Sequence, residues 1–180
     1  RKHMLVPANL DTVDFGGRTI EGMNATAKYT LTLQDAKAAD AWGFNCGPAA
    51  LCAVTGLSPD QVRPHLGDFE DKRYTNPSLM ASALASLGVQ FTRRFENLGP
   101  RRVAIYPTFG LVRIQWSGPW TKPGVPMRVR YRKTHWIAVD HGRGRTVIAK
   151  HRGVFDVNAI ASGGWISWAD WVLQTLRPLE

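Results

Sequence analysis

The stretch Trp42-Gly43-Phe44-Asn45-Cys46-Gly47-Pro48-Ala49-Ala50-Leu51 sets a cysteine where its surroundings favour the thiolate. Residues 46–55 are rich in Ala and Leu and stop at Gly56, with Asn45 placed to cap the first turn. The spacing therefore predicts a helix that begins at Cys46. A helix N-terminus carries unpaired backbone N–H groups and a partial positive charge, and both stabilise a thiolate over a thiol. The same N–H groups can hold the oxyanion that forms when a nucleophile attacks an acyl carbon. Gly47 leaves space for substrate beside the sulfur. Pro48 is tolerated because the N–H it lacks would have no helical partner in the first turn.

A thiol nucleophile needs a base, and the base needs an acceptor that fixes its tautomer. His135 opens the run His135-Trp136-Ile137-Ala138-Val139, which reads as a strand, so its ring can project from a rigid sheet edge. His65 falls near a helix end, while His141 and His151 fall in basic turn segments, and all three read as surface or polar packing. Val154-Phe155-Asp156-Val157-Asn158 reads as a later strand. Asp156 and Asn158 are two residues apart, so both would face one side, and either can accept the imidazole N–H. Cys52, mid-helix among Ala and Val, reads as simple packing.

The motif Asn45-Cys46-Gly47-Pro48-Ala49-Ala50-Leu51 resembles the nucleophile motif of papain-like cysteine peptidases, in particular their bacteriocin-leader-processing, C39-like branch. The run His135–Val139 resembles that branch's histidine strand, Asp156 its third member, and the order Cys, His, Asp or Asn is the family's order. The resemblance spans residues 42–171 and implies a Cys46–His135–Asp156 triad, with Asn158 as the other candidate. One position departs from the pattern. The family usually carries a glutamine about six residues before the cysteine, completing the oxyanion hole. Here that position is Asp40, and Gln34 is the nearest glutamine upstream.

Other elements follow from local signals. Ser58-Pro59-Asp60-Gln61 carries a capping box with Pro at the first helical position. Asn76-Pro77 starts a helix whose apolar residues Leu79, Met80, Ala83, Leu84 and Leu87 follow the helical period to Gly88. Val89–Phe91, Val103–Tyr106, Gly110–Trp116, His135–Asp140, Arg145–Lys150 and Val154–Val157 read as strands, and a last helix begins near Ser167. Helices first and an antiparallel sheet second define an α+β domain. The resemblance makes it a papain-like fold, with the nucleophile at a helix start packed on the sheet. Residues 1–30 show little periodicity and read as an irregular N-terminal arm or short strands packed on the body; residues 31–180 read as a single papain-like domain.

Composition narrows the function classes. The chain has 180 residues, enough for one domain with a real core. No apolar run approaches a bilayer span, and no secretory signal is seen, so no membrane partner is expected. Two cysteines six residues apart on a helix are separated by about 9 Å of rise, too far to bridge. Both should be free thiols, as in a reducing, cytoplasmic compartment. No metal-ligand spacing or phosphate-loop motif appears, so no cofactor or metal is expected. Six of the seven tryptophans, Trp116, Trp120, Trp136, Trp165, Trp168 and Trp171, read as core or groove wall.

The net charge is +9, with clusters at Arg128, Arg130, Arg132 and Lys133 and at Arg143, Arg145, Lys150 and Arg152. A basic surface attracts nucleic acid or an acidic protein without choosing between them. The leading expectation is a thiol-dependent hydrolase of amide, peptide or isopeptide bonds acting on a protein or peptide substrate. The alternatives are a catalytically inactive papain-like module that uses the basic segments for binding, and a deamidase or acyltransferase effector on the same fold.

Overall fold

The computed structural model describes residues 7–15, 31–97, 106–130, 133–140 and 153–175. Its helices are α1 (Leu33–Asp40), α2 (Cys46–Thr55), α3 (Pro59–Val62), α4 (Phe69–Lys72), α5 (Pro77–Ser86), α6 (Met127–Arg130) and α7 (Trp168–Thr175). Its strands are β1 (Pro7–Asp14), β2 (Thr92–Asn97), β3 (Phe109–Trp116), β4 (Thr134–Asp140), β5 (Gly153–Phe155) and β6 (Trp165–Ile166). The six strands form one sheet in the order β2-β1-β3-β4-β5-β6, with every pairing antiparallel. The domain is α+β.

The helix boundaries lie where capping chemistry puts them. Asn45 Oδ1 accepts the Gly47 N–H, and Gly56 closes α2 in the left-handed region with its N–H on the Cys52 carbonyl. The Ser58–Gln61 capping box starts α3, and Asn76 Oδ1 accepts the Leu79 N–H at the start of α5. A third cap escaped notice in the sequence: Thr32 and Asp35 form a reciprocal box that starts α1.

The sheet carries a hydrophobic core on each face. Val13, Leu111, Ala138 and Phe155 pack with Ala49, Leu51, Cys52 and the other helical residues on one face. Leu10, Val112, Ile114, Ile137 and Val139 share a second core with Trp171 of α7 on the other face. Cys52 is fully buried, and both cysteines are free thiols. Among the described residues no helix is long and apolar enough to cross a membrane.

Several strands differ from expectation. Residues 7–14, expected in an irregular arm or in short strands packed on the body, form the eight-residue β1, which lies inside the sheet and pairs with both β2 and β3. Asn9, Asp11 and Asp14 lower its strand propensity, and cross-strand partners override that. Val89–Phe91 is not a strand: the Val89 N–H is taken by the Leu84 carbonyl at 2.9 Å, and β2 starts only at Thr92. Tyr106 precedes β3 without joining it; residues 103–105 and 145–150 lie outside the described residues. β5 ends at Phe155, and Asp156 instead caps a 3-10 turn over Val157–Ser162.

Leu111 is fully buried between the sheet and the helical layer that carries Cys46. Leu111→Ala is expected to cost about 2–5 kcal/mol of unfolding free energy, read by urea denaturation. A cost within about 0.5 kcal/mol, the range of a surface change, would show that this layer does not carry the fold.

Candidate active site

The site forms where a helix start meets a gap in the sheet. β5 pairs with β4 along Ala138–Asp140, so among the described residues the β4 backbone before Ala138 has no strand beside it on that edge. The first residue of α2 fills the gap. The Trp136 backbone N–H donates to the Cys46 sulfur, and the sulfur is hydrogen-bonded to the His135 ring. His135 Nε2 lies 2.8 Å from Asp156 Oδ1, which leaves Nδ1 to face the sulfur.

Asp156 is itself held from two sides. Its Oδ2 accepts the Trp171 indole N–H at 3.0 Å, and its Oδ1 accepts the Asn158 backbone N–H at 3.0 Å. Cys46, His135 and Asp156 thus form one hydrogen-bonded chain. The Asn158 side chain is not part of it. The turn begun by Asp156 breaks the strand alternation that would have put both on one face, and leaves Asn158 exposed. Asn158 contributes only its backbone N–H.

Burial and charge oppose each other here. Burial by itself pushes the Cys46 thiol up, but the His135 hydrogen bond and positive charge outweigh it and hold the thiol below 9.0. Burial would push His135 down, yet its bonds to Asp156 and Cys46 and their charges raise it from 6.5 to about 10. Asp156 stays below the usual carboxylate value: burial would raise it, and the His135 bond and charge, the Asn158 N–H and the Trp171 N–H prevail. Between those limits the site holds a thiolate, an imidazolium and a carboxylate.

A groove of about 810 Å³ opens beside the sulfur. Its described walls are the stretch Arg73–Ser78 that leads into α5, residues of β1 to β4, and Arg128 of α6, together with Asn45 and Cys46. The space expected beside Gly47 is not part of it. A Cβ at Gly47 would lie 2.2 Å from Thr75 Oγ1, so glycine is required there by Thr75 rather than by substrate. Thr75 also accepts the Trp136 indole N–H on its carbonyl at 2.7 Å, tying the loop to β4.

Asp40 ends α1 with an exposed side chain, Gln34 is likewise exposed, and neither lines the groove. His65 bonds the Ser86 hydroxyl on the surface at 2.7 Å. His3, His141, His151, Arg132 and the Arg143–Arg152 cluster lie outside the described residues.

Sequence reasoning missed Trp171 as a partner of Asp156, Thr75, and the groove arginines Arg73, Arg93 and Arg113; it had placed Arg128 only in a basic cluster. For Trp171 the signal was available in general form, since a buried indole N–H needs an acceptor. Trp165 lies in β6, ahead of α7, and packs edge-on to Phe155 with ring centroids 5.5 Å apart.

Comparisons with protein-family models, curated proteins and solved structures find no match to this chain. Its chemistry is therefore read from the site itself.

Two outcomes follow from the hydrogen-bonded chain. Iodoacetamide alkylation of Cys46 should have its acid limb below 9.0, because the thiolate persists down to the lowered value. In His135→Ala the burial remains and the counter-charge is gone, so the limb should move upward; an unmoved limb would break the pairing. Trp171→Phe leaves the Asp156 carboxylate short of a donor and should cost about 1–3 kcal/mol in denaturant unfolding. Unchanged stability would mean the indole does not hold Asp156.

Proposed function

We propose that the chain is a thiol-dependent hydrolase of amide, peptide or isopeptide bonds, built as a papain-like cysteine peptidase. The observation that carries the reading is the hydrogen-bonded chain from Cys46 through His135 to Asp156, with the sulfur on the first residue of a helix. The family reading draws further support from chain order: a helix-start cysteine, then a strand-start histidine, then an aspartate after a later strand.

On this reading the Cys46 thiolate attacks the carbonyl carbon, and the carbonyl electrons move to oxygen. The Cys46 backbone N–H, at the first helical position, faces the oxyanion, and the helix start adds its partial charge. His135 delivers its proton to the leaving amine as the C–N bond breaks, leaving a thioester on Cys46. Water then attacks the thioester while His135 takes a proton from it. Collapse of that intermediate releases the carboxylic acid and restores the thiolate and imidazolium. Asp156 keeps the ring in place and stabilises its charged form, as the third member of such a triad does.

A neutral activity-based thiol probe should label wild-type protein at Cys46 near neutral pH, located by peptide mass mapping. Cys46→Ala should abolish that label, and His135→Ala should slow it by about 100-fold or more. Labelling spread equally over Cys46 and Cys52, or retained in Cys46→Ala, would rule the reading out.

A further inference from the structure

Resting on Cys46 as an acyl-transfer nucleophile, we propose that the groove beside it selects acidic peptides, whose carboxylate side chains near the attacked bond are held by arginines of the lining. Four arginines line this groove: Arg73, Arg93, Arg113 and Arg128. They come from the loop before α5, from β2, from β3 and from α6, so no local run of sequence accounts for their convergence. Asp11 is the one acidic residue of the described lining, and it is already engaged: Arg93 grips it with two hydrogen bonds of 2.9 and 2.8 Å. The groove therefore carries a positive excess against which a substrate carboxylate can be set.

The sheet floor shows how this charge is laid out. Trp136, Arg113, Asp11 and Phe95 are direct cross-strand neighbours, one from each of β4, β3, β1 and β2, so they form a row across one face. The neighbouring row, Ala138, Leu111 and Val13, is apolar and lies in the core beneath the helices. The face thus changes from core to charged floor in one step of the pleat, at the level of the nucleophile. Arg73 approaches from above, with its side chain across Gly43, three residues before Cys46.

A peptide matches this lining better than a nucleic acid. Tyr74 and Phe95 are 55% and 60% exposed, two of the three exposed large hydrophobic side chains among the described residues, and both line the groove. A peptide supplies apolar side chains for these and separate carboxylates for the arginines. A phosphate backbone would run its charge continuously past Asp11. The nucleophile at the head of the groove is, moreover, suited to acyl carbon.

The test compares alkylation of Cys46 by two matched peptidyl acyloxymethyl ketones, Ala-Glu-Glu-Ala and Ala-Gln-Gln-Ala. Each rate is divided by the iodoacetamide rate of the same protein. The Glu probe should react about tenfold faster, a difference of one favourable charge contact. The preference should shrink on raising salt and in an Arg73→Gln/Arg128→Gln variant. Equal rates, or a faster Gln probe, overturn the groove proposal while the thiol reading stands.

If neither iodoacetamide nor either ketone labels Cys46, the thiol reading fails. The groove is then decided by binding of the two free tetrapeptides to Cys46→Ala, and lack of preference for the Glu peptide overturns it. Tighter binding of a single-stranded oligonucleotide than of the Glu peptide, with slowed iodoacetamide labelling, overturns it in favour of nucleic acid.

Discussion

A thiolate and an imidazolium can occupy a site this enclosed only because each neutralises the other. The His135 and Asp156 side chains are 17% and 8% exposed, and Cys46 is half-buried. A lone charge in such a place would shift its pKa and discharge. Here burial is the largest single influence on all three groups, and in all three it is overcome by a partner. The three charges do not sum to zero: one thiolate and one carboxylate face one imidazolium. The excess negative charge is met by neutral donors, namely the Trp136 and Asn158 backbone N–H groups and the Trp171 indole.

That balance requires three pieces of backbone to be in register: the start of α2, the open edge of β4 and the turn after β5. The short β5 is as important as any side chain. Had it extended along β4 past Ala138, it would have taken the Trp136 N–H and closed the gap that Cys46 fills. The chain instead turns at Asp156, whose N–H bonds the Gly164 carbonyl at 2.8 Å while its carboxylate turns back to His135. Gly164 lies against the Phe155 ring, where a Cβ would be 2.2 Å from a ring carbon, so the loop closes tightly on the strand it leaves. The core on both sheet faces fixes these pieces relative to one another.

What could be read from the sequence divides along the range of the interactions. Caps are local, so the starts of α2, α3 and α5 are legible from Asn45, Ser58 and Asn76. The strands β3 and β4 are legible because their apolar content is dense. β1 is not, since the partner that holds Asp11 in a buried strand, Arg93, is 82 positions away. Cys46 and His135 announce themselves through helix start and strand start. The choice between Asp156 and Asn158 does not, because it depends on where the strand stops. Gly47 misleads for the same reason: its neighbour Thr75 is distant in sequence, and only through space does the glycine's purpose become clear. The Asp156–Trp171 bond joins a strand end to a helix, and no spacing rule reports it.

The electrostatics of the triad also bear on the position where a family-like glutamine is absent. On the reading of Cys46 as an acyl-transfer nucleophile, attack brings negative charge onto oxygen beside a carboxylate that is already charged. An aspartate pointing into the site would raise that cost. Asp40 does not point in: it is exposed at the end of α1, away from the groove. What does border the site is the start of α2, with the Cys46 N–H at its first position while the Asn45 cap takes the Gly47 N–H, and a described lining that holds four arginines against one aspartate. A cleft walled by one sign of charge raises the potential felt inside it, more so as water is excluded. On that same reading, the duty that a single amide side chain would perform by contact would be shared between the Cys46 N–H at close range and the positive groove at longer range. The two contributions differ in their response to salt: screening reaches the exposed Arg73, Arg93 and Arg128, while the helix N–H, a short-range donor beside the half-buried Cys46, is largely shielded from it.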